Sequence, residues 1–136
     1  MAFAALAGCG APASAAPAGP SEFPAQPVMT LTSASGQLQI EVRTAPQQPP
    51  SRGDGSVELV IRNTTTNAPE SGLSIDVVPW MPAMGHGASI VPAVASPSPG
   101  TYVITNVDLF MPGTWELRTT VSGSVADHVA PSFQIP

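Results

Sequence analysis

The chain has 136 residues, enough for one domain with a modest hydrophobic core. Charged residues make up only 10%, the formal net charge is −5 and lysine is absent. The basic surface that nucleic acid or anionic lipid requires therefore cannot form. The 17 prolines and 12 glycines exclude long helices and favour short strands joined by turns. No run of about 18 apolar residues is present, so no transmembrane helix is predicted.

Residues 1–9 end in a motif typical of bacterial lipoproteins. Leu6-Ala7-Gly8-Cys9 matches the lipobox, in which small residues precede a cysteine that is lipidated and becomes the new first residue. Cys9 is the only cysteine, so it cannot form a disulfide within the chain. No basic segment precedes the short apolar stretch, and we therefore expect the natural start to lie further upstream. We interpret residues 1–9 as a lipoprotein signal remnant; the alternative is a chance cysteine in an alanine-rich leader.

Residues 10–27 consist almost entirely of alanine, proline, glycine and serine. This composition buries too little apolar surface to offset the entropy of ordering the chain. We therefore predict a disordered linker that tethers a folded domain of residues 28–136 to the membrane anchor at Cys9.

From residue 28 onward, apolar and polar residues alternate in several short runs. Successive side chains of a strand point to opposite faces, so each run predicts a strand with one buried face. Clusters of proline, glycine, asparagine and serine separate the runs and predict turns. We therefore predict an all-β, immunoglobulin-like sandwich of about seven short antiparallel strands. The runs lie near residues 38–43, 57–62, 73–77, 90–94, 101–107, 115–121 and 129–135.

One segment combines soft metal ligands with this pattern. Met81, Met84 and His86 fall within six positions, and Met111 lies in a second Met-Pro sequence. Thioether and imidazole ligands together select Cu(I) over calcium, magnesium or manganese. Methionine also remains usable where exposed thiols are lost to disulfides.

Strand direction predicts that these residues meet. Alternate loops of an antiparallel sandwich emerge at the same end, and two strands separate the loop at 79–89 from the loop at 108–112. We therefore expect Met111 near Met81, Met84 and His86. The loop with His128 is one strand further on and is expected at the opposite end.

Other interpretations of these residues remain open. The Met-Pro loops can plug the end of the sandwich without binding metal, because methionine is a flexible filler of irregular gaps. Trp115 lies on an inward position and is predicted to be core, and Trp80 is predicted to be core or rim. No nucleophile elbow, paired carboxylates or phosphate-binding glycine loop is present, so we predict that the chain is not an enzyme.

Three motifs resemble those of a known family. The segments Trp80-Met-Pro-Ala-Met-Gly-His-Gly87, Gly100-Thr-Tyr102 and Phe110-Met-Pro-Gly-Thr-Trp-Glu-Leu117 are similar to the signature of YtkA-like domains, which are related to FixH-type proteins. The resemblance covers roughly residues 35–135 and excludes the linker. It implies a small β-sandwich of the bacterial cell envelope, often found in lipoproteins or beside copper and oxidase-assembly functions. FixH-type proteins usually carry a transmembrane helix, which this sequence lacks, and a direct role in oxidase assembly is therefore not expected.

Together these patterns predict an envelope lipoprotein domain, facing the periplasm or exterior, that binds Cu(I) through Met81, Met84, His86 and Met111 for copper handling or delivery. Its expected partners are the membrane, through the lipid anchor, a copper ion and an envelope protein. The alternative is an accessory domain without a metal or other cofactor, whose Met-Pro loops form an apolar docking surface.

Overall fold

A computed structural model describes residues 22–136, which form two antiparallel β-sheets and no helix, hence none that could span a bilayer. The predicted all-β sandwich is confirmed. Cys9 and residues 10–21 of the predicted linker lie outside the described residues. The strands are β1 (Met29–Thr32), β2 (Leu38–Ala45), β3 (Gly53–Asn63), β4 (Ser74–Met81), β5 (His86–Gly87), β6 (Ala93–Ser98), β7 (Thr101–Leu109), β8 (Gly113–Ser122), β9 (Asp127–Val129) and β10 (Ser132–Ile135).

Each sheet combines strands that follow one another in the chain with strands that are distant in sequence. Sheet A has the order β1-β2-β3-β7-β6, and sheet B has the order β10-β8-β4-β5, with β9 also paired to β8. The alternation seen in the sequence places one side of each central strand in the core. The most deeply buried core residues are Leu38, Ile40, Val42, Leu59, Ile61, Tyr102, Ile104, Trp115, Leu117 and Val121.

The structure has more strands than the sequence predicted. β1 and β5 were not expected, because runs of four and two residues are too short to show a period. The predicted closing strand at 129–135 is divided at Pro131, which has no N–H to donate to β8. Its carbonyl still accepts a hydrogen bond from the Leu117 N–H at 2.8 Å. The predicted bounds of the run near residues 90–94 are wrong, because β6 begins at Ala93 and extends to Ser98; as an edge strand it tolerates Pro97.

Strand pairing defines the two ends of the sandwich. At one end, which we call the site end, Gly53 pairs with Leu109, Ala45 pairs with Ser56, and β8 begins after a three-residue loop. At the other, which we call the far end, β4 begins with Ser74 opposite Ser122 at the end of β8. Met81, the last residue of β4, therefore lies at the site end.

Tyr102 is hydrogen-bonded to the segment that connects the two sheets. Its buried hydroxyl donates a hydrogen bond to the Glu70 carbonyl at 2.7 Å and accepts one from the Leu73 N–H at 3.1 Å. Both partners lie between β3 of sheet A and β4 of sheet B. The hydroxyl thus satisfies backbone groups at the crossover while the ring stays in the core.

The end of the predicted linker contacts the domain. The Arg43 guanidinium donates hydrogen bonds to the carbonyls of Pro24 and Ala25, the nearest at 2.9 Å, and lies 3.0 Å from Glu41. The Gln48 side chain donates to the Gln26 carbonyl at 2.9 Å. The hydrogen-bonded part of the chain therefore begins before residue 28. We call residues 22–27 the strap.

Asp127 joins the two sheets at the far end. Its carboxylate accepts hydrogen bonds from the N–H and hydroxyl of Ser35, in the turn between β1 and β2, and from the His128 N–H. Burial would raise the pKa of Asp127, but these bonds and one from the Ser33 hydroxyl outweigh it and hold that pKa well below its usual range. The charged form of Asp127 therefore stabilises the fold.

Replacing Asp127 by Asn should lower the free energy of unfolding at pH 7 by about 1–3 kcal/mol, because charge-assisted hydrogen bonds are lost. Because the pKa of Asp127 is lower in the folded state, its carboxylate contributes its full stabilisation at pH values above the pKa of aspartate in the unfolded chain, which is about 3.9. The difference between wild type and Asp127→Asn should therefore be constant above about pH 5 and shrink as the pH falls below about 4. Urea unfolding at several pH values measures this.

The exposed Asp76 provides a control. Asp76→Asn should change the free energy of unfolding at pH 7 by no more than about 0.5 kcal/mol. A difference for Asp127→Asn that stays the same down to pH 2 would contradict the assigned role of its charged form.

Candidate functional site

The first half of the candidate site is the hairpin formed by β4 and β5. Met81 and His86 are directly opposite each other, and residues 82–85 form the turn. The Met81 carbonyl accepts hydrogen bonds from the N–H groups of Met84 and Gly85, at 3.2 and 2.9 Å. Gly85 has φ +67°, a left-handed conformation that glycine adopts without strain.

Cross-strand pairing places the side chains of Met81 and His86 on the same face of sheet B. Met81 is only 2% exposed and belongs to the core, so this shared face is the inward one. Directly opposed residues have Cβ atoms about 4.5–5.5 Å apart. The side chains of Met81 and the half-buried His86 therefore begin at neighbouring positions at the site end of the sandwich.

The second half of the site is the loop of residues 110–112 between β7 and β8. Met111 is partly buried and packs against the core. Its carbonyl accepts a 2.9 Å hydrogen bond from the indole N–H of Trp115. The Met81 methyl reaches β8 as well, lying 2.8 Å from where a Cβ on Gly113 would be. The two Met-Pro segments thus meet, as the strand directions predicted.

Aromatic contacts connect the two halves. The His86 ring stacks on Phe110 with centroids 6.0 Å apart and an interplanar angle of 18°. Phe110 in turn contacts Trp115 edge-on, with centroids 5.5 Å apart. Since Trp115 is completely buried, it links the position of His86 to the core.

The imidazole has one nitrogen already engaged. His86 Nδ1 lies 3.2 Å from the Gly87 carbonyl oxygen. A carbonyl oxygen can only accept, so this contact places a proton on Nδ1. The neutral ring then presents its lone pair at Nε2, as a metal-binding histidine requires.

The other predicted residues occupy distinct positions. Met84 lies in the hairpin turn with 54% of its surface exposed, so it is close in the chain to Met81 and His86 but outside the core. His128 pairs with Thr120 near the far end, as predicted, and most of the length of β8 separates it from the site. Trp115 is core, as predicted.

Trp80 lies on the opposite face of sheet B from Met81. Arg118 sits over its ring, 4.8 Å from the centroid, and Gly87 lies beneath the ring on β5. Of the two predicted positions for Trp80, core or rim, the structure shows the rim: Trp80 is half-buried on the outer face of sheet B.

The motif of residues 110–117 includes Phe110 and Gly113, but no role in the site was predicted for either. The stacking of Phe110 on His86 and the contact of Gly113 with Met81 both depend on how separate strands pack. The adjoining Met-Pro sequence was the available signal for both. Among residues 22–136 there is also no cluster of three or more His, Cys, Asp or Glu side chains that would hold a metal ion.

The fold and the site define a small immunoglobulin-like β-sandwich domain with two Met-Pro loops at one end. The sequence profile of the YtkA-like family matches residues 32–120, which is well over half of the chain and includes both loops. The chain therefore belongs to the YtkA-like family. Searches among curated proteins and among solved structures gave no significant match.

Replacing Gly113 by Ala should move the Met81 methyl group. The new Cβ would lie 2.8 Å from Met81 Cε, and the φ of +130° would add strain of roughly 1–3 kcal/mol. Methyl NMR should show a shifted Met81 resonance, and urea unfolding should show the loss of stability.

Gly123→Ala is the matched control, since Gly123 has φ +135° but its Cβ would meet nothing closer than 3.4 Å. It should lose similar stability and leave the Met81 resonance in place. Equal Met81 shifts in both variants would show that Met81 does not pack on Gly113.

Proposed function

We propose that this domain is a non-catalytic part of an envelope lipoprotein that binds Cu(I) through Met81, Met84, His86 and Met111 and passes it on. The observation that carries the proposal is the placement of Met81 and His86 as opposed residues on one inward face, beside the Met111 loop. This placement supports a site in which residues from two loops, separated in the chain by a pair of strands, bind one ion.

The charge of the ligand set favours a monovalent ion. Methionine and neutral histidine carry no charge, and residues 77–107 include no aspartate, glutamate, lysine or arginine. A divalent ion bound by these four side chains alone would keep its full charge, since none of them is a carboxylate or a thiolate. Thioether sulfur is moreover a soft ligand that selects Cu(I).

The four residues differ in their exposure to solvent. This difference supports a route by which the bound ion could pass to a partner through ligand exchange. Met81 and Met111 are held against the core, whereas Met84 is on the exposed turn. An incoming ligand from a partner would displace the Met84 thioether first, because it is the most accessible and least constrained. Ligand exchange of this kind moves the ion without a change in its oxidation state.

Cys9 supports the lipoprotein part of the proposal. Its lipobox would place acyl chains on the residue that becomes the new amino terminus, and two or more chains give stable anchoring. The domain would then face the periplasm or the exterior of a bacterial envelope, where methionine is a more durable copper ligand than an exposed thiol.

An accessory domain without metal is the second candidate. Met84 and Phe110 expose 54% and 43% of their surfaces at the site end. Exposed large apolar residues of this kind also form docking surfaces for proteins. This candidate requires the Met-Pro loops to bind a partner when no copper is present.

Titration with Cu(I) against a competing chelator separates these functions. The chain should carry C9S, because the Cys9 thiol would itself bind Cu(I). We expect one ion per chain, bound more tightly than micromolar. His86→Gln and Met84→Leu should each weaken binding at least tenfold, since loss of a ligand exceeds the roughly 10–100-fold effect of removing an outer partner.

The chain offers a matched control for each variant. His128→Gln alters the histidine near the far end. Met29→Leu alters a partly buried methionine of β1, which β2 and β3 separate from β7 in sheet A, so neither variant should change affinity. Absence of binding tighter than micromolar, or equal loss of affinity in the control variants, would rule out this copper site and favour the accessory function.

A further inference from the structure

The chain enters the described domain at the site end. The strap is hydrogen-bonded to Arg43, near the end of β2, and to Gln48, in the loop that follows. The Val28 N–H also donates to the Val42 carbonyl at 2.8 Å, so β1 runs away from this end. The segment that leads back to Cys9 therefore starts beside the end that carries Met81 and His86.

Exposed apolar side chains are concentrated near the same end. Phe110 and Met84 project from its two loops, and Ile90 and Val91 lie in the connection that leaves β5 there, with Val91 81% exposed. This connection belongs to the uncharged stretch of residues 77–107. The loops that carry these side chains, residues 82–92 and 110–112, include no charged residue, so they can enter the interface of a bilayer without desolvating an ion.

We propose that the site end docks on the surface of a zwitterionic lipid bilayer and so presents Met84 and His86 to the membrane. The inference rests on the anchor at Cys9 in the proposed function and does not depend on the metal. If the site end faces the bilayer, copper bound there is accessible chiefly to an acceptor embedded in the membrane. The docking therefore implies that the partner is a membrane protein.

Chain length favours this orientation over the reverse. Residues 10–21 separate Cys9 from Glu22, and thirteen extended steps span at most about 45 Å. The longest strand, β3, has 11 residues and is about 37 Å long. Turning the far end to the bilayer would force the connecting chain to run almost fully extended along the sandwich. Turning the site end to the bilayer imposes no such restriction.

Charge distinguishes a zwitterionic bilayer from other occupants. A second copy of the chain has the same net charge of −5, so two copies repel each other. Asp54 and Asp108 are paired on the outer face of sheet A near the site end. These carboxylates oppose an anionic bilayer, whereas a zwitterionic surface has no net charge to repel them.

Paramagnetic relaxation tests the orientation directly. The full ¹⁵N-labelled chain is coupled through Cys9 to a maleimide lipid in nanodiscs of zwitterionic lipid, with a small fraction of headgroups carrying a gadolinium chelate. We expect amides of residues 83–86 and 110–111 to lose signal several times faster than those of residues 64–67 and 123–126, in the far-end turns. Equal loss at both ends, or greater loss at the far end, would overturn the proposal.

Two variants test the apolar contact. Ile90→Ser with Val91→Ser should weaken docking about tenfold, because two large exposed apolar groups are removed. Val78→Ser is the control, since Val78 is 44% exposed on the outer face of sheet B and should leave docking unchanged. Unchanged docking in the double variant would contradict an apolar contact, as would signal changes that grow with protein density, which would identify a second copy.

The failure of this proposal is distinguishable from the failure of the proposed function. Copper is absent from the nanodisc experiment, and the maleimide lipid supplies the anchor chemically. The Cu(I) titration uses no membrane. Mass spectrometry of the chain from membranes reads lipidation of Cys9 separately, and an unmodified Cys9 would overturn both the anchor and the docking.

Discussion

Burying the indole of Trp115 imposes two requirements at once. The ring fills the core of sheet B, and its N–H must still find an acceptor, which is the Met111 carbonyl. Satisfying that N–H fixes the loop before β8 against the core. Phe110, in the same loop, packs edge-on against the indole and stacks on His86. The geometry of the site end therefore follows from how one core residue satisfies its hydrogen bond.

The Met–His site divides into a fixed and an exposed part. Met81 and Met111 belong to the packed end of the sandwich, so their thioethers are positioned by the fold. Met84 lies on a turn whose backbone is closed by bonds to the Met81 carbonyl, but its side chain faces solvent. A site of this kind holds an ion on one side and exposes it on the other, as transfer requires.

Much of this arrangement could be predicted from sequence. The alternation of apolar and polar residues predicted the long strands, because each of them buries one face. The antiparallel direction of successive strands predicted that the loops of Met81 and Met111 lie at the same end. Short strands were missed because two or four residues show no period, as in β5. The contact between the last residues of the linker and the domain could not be predicted. It depends on hydrogen bonds from Arg43 to backbone carbonyls that are distant in sequence, which no local pattern encodes. The roles of Phe110 and Gly113 likewise depended on packing between strands.

X-ray absorption spectroscopy of the Cu(I)-loaded C9S chain tests the central claim most directly, because it identifies the atoms bound to the metal. The proposed site predicts three sulfur scatterers, from Met81, Met84 and Met111, together with one imidazole nitrogen from His86. The nitrogen contribution should disappear in His86→Gln and persist in His128→Gln. A first shell of only nitrogen and oxygen, or a spectrum unaffected by His86→Gln, would contradict the assignment.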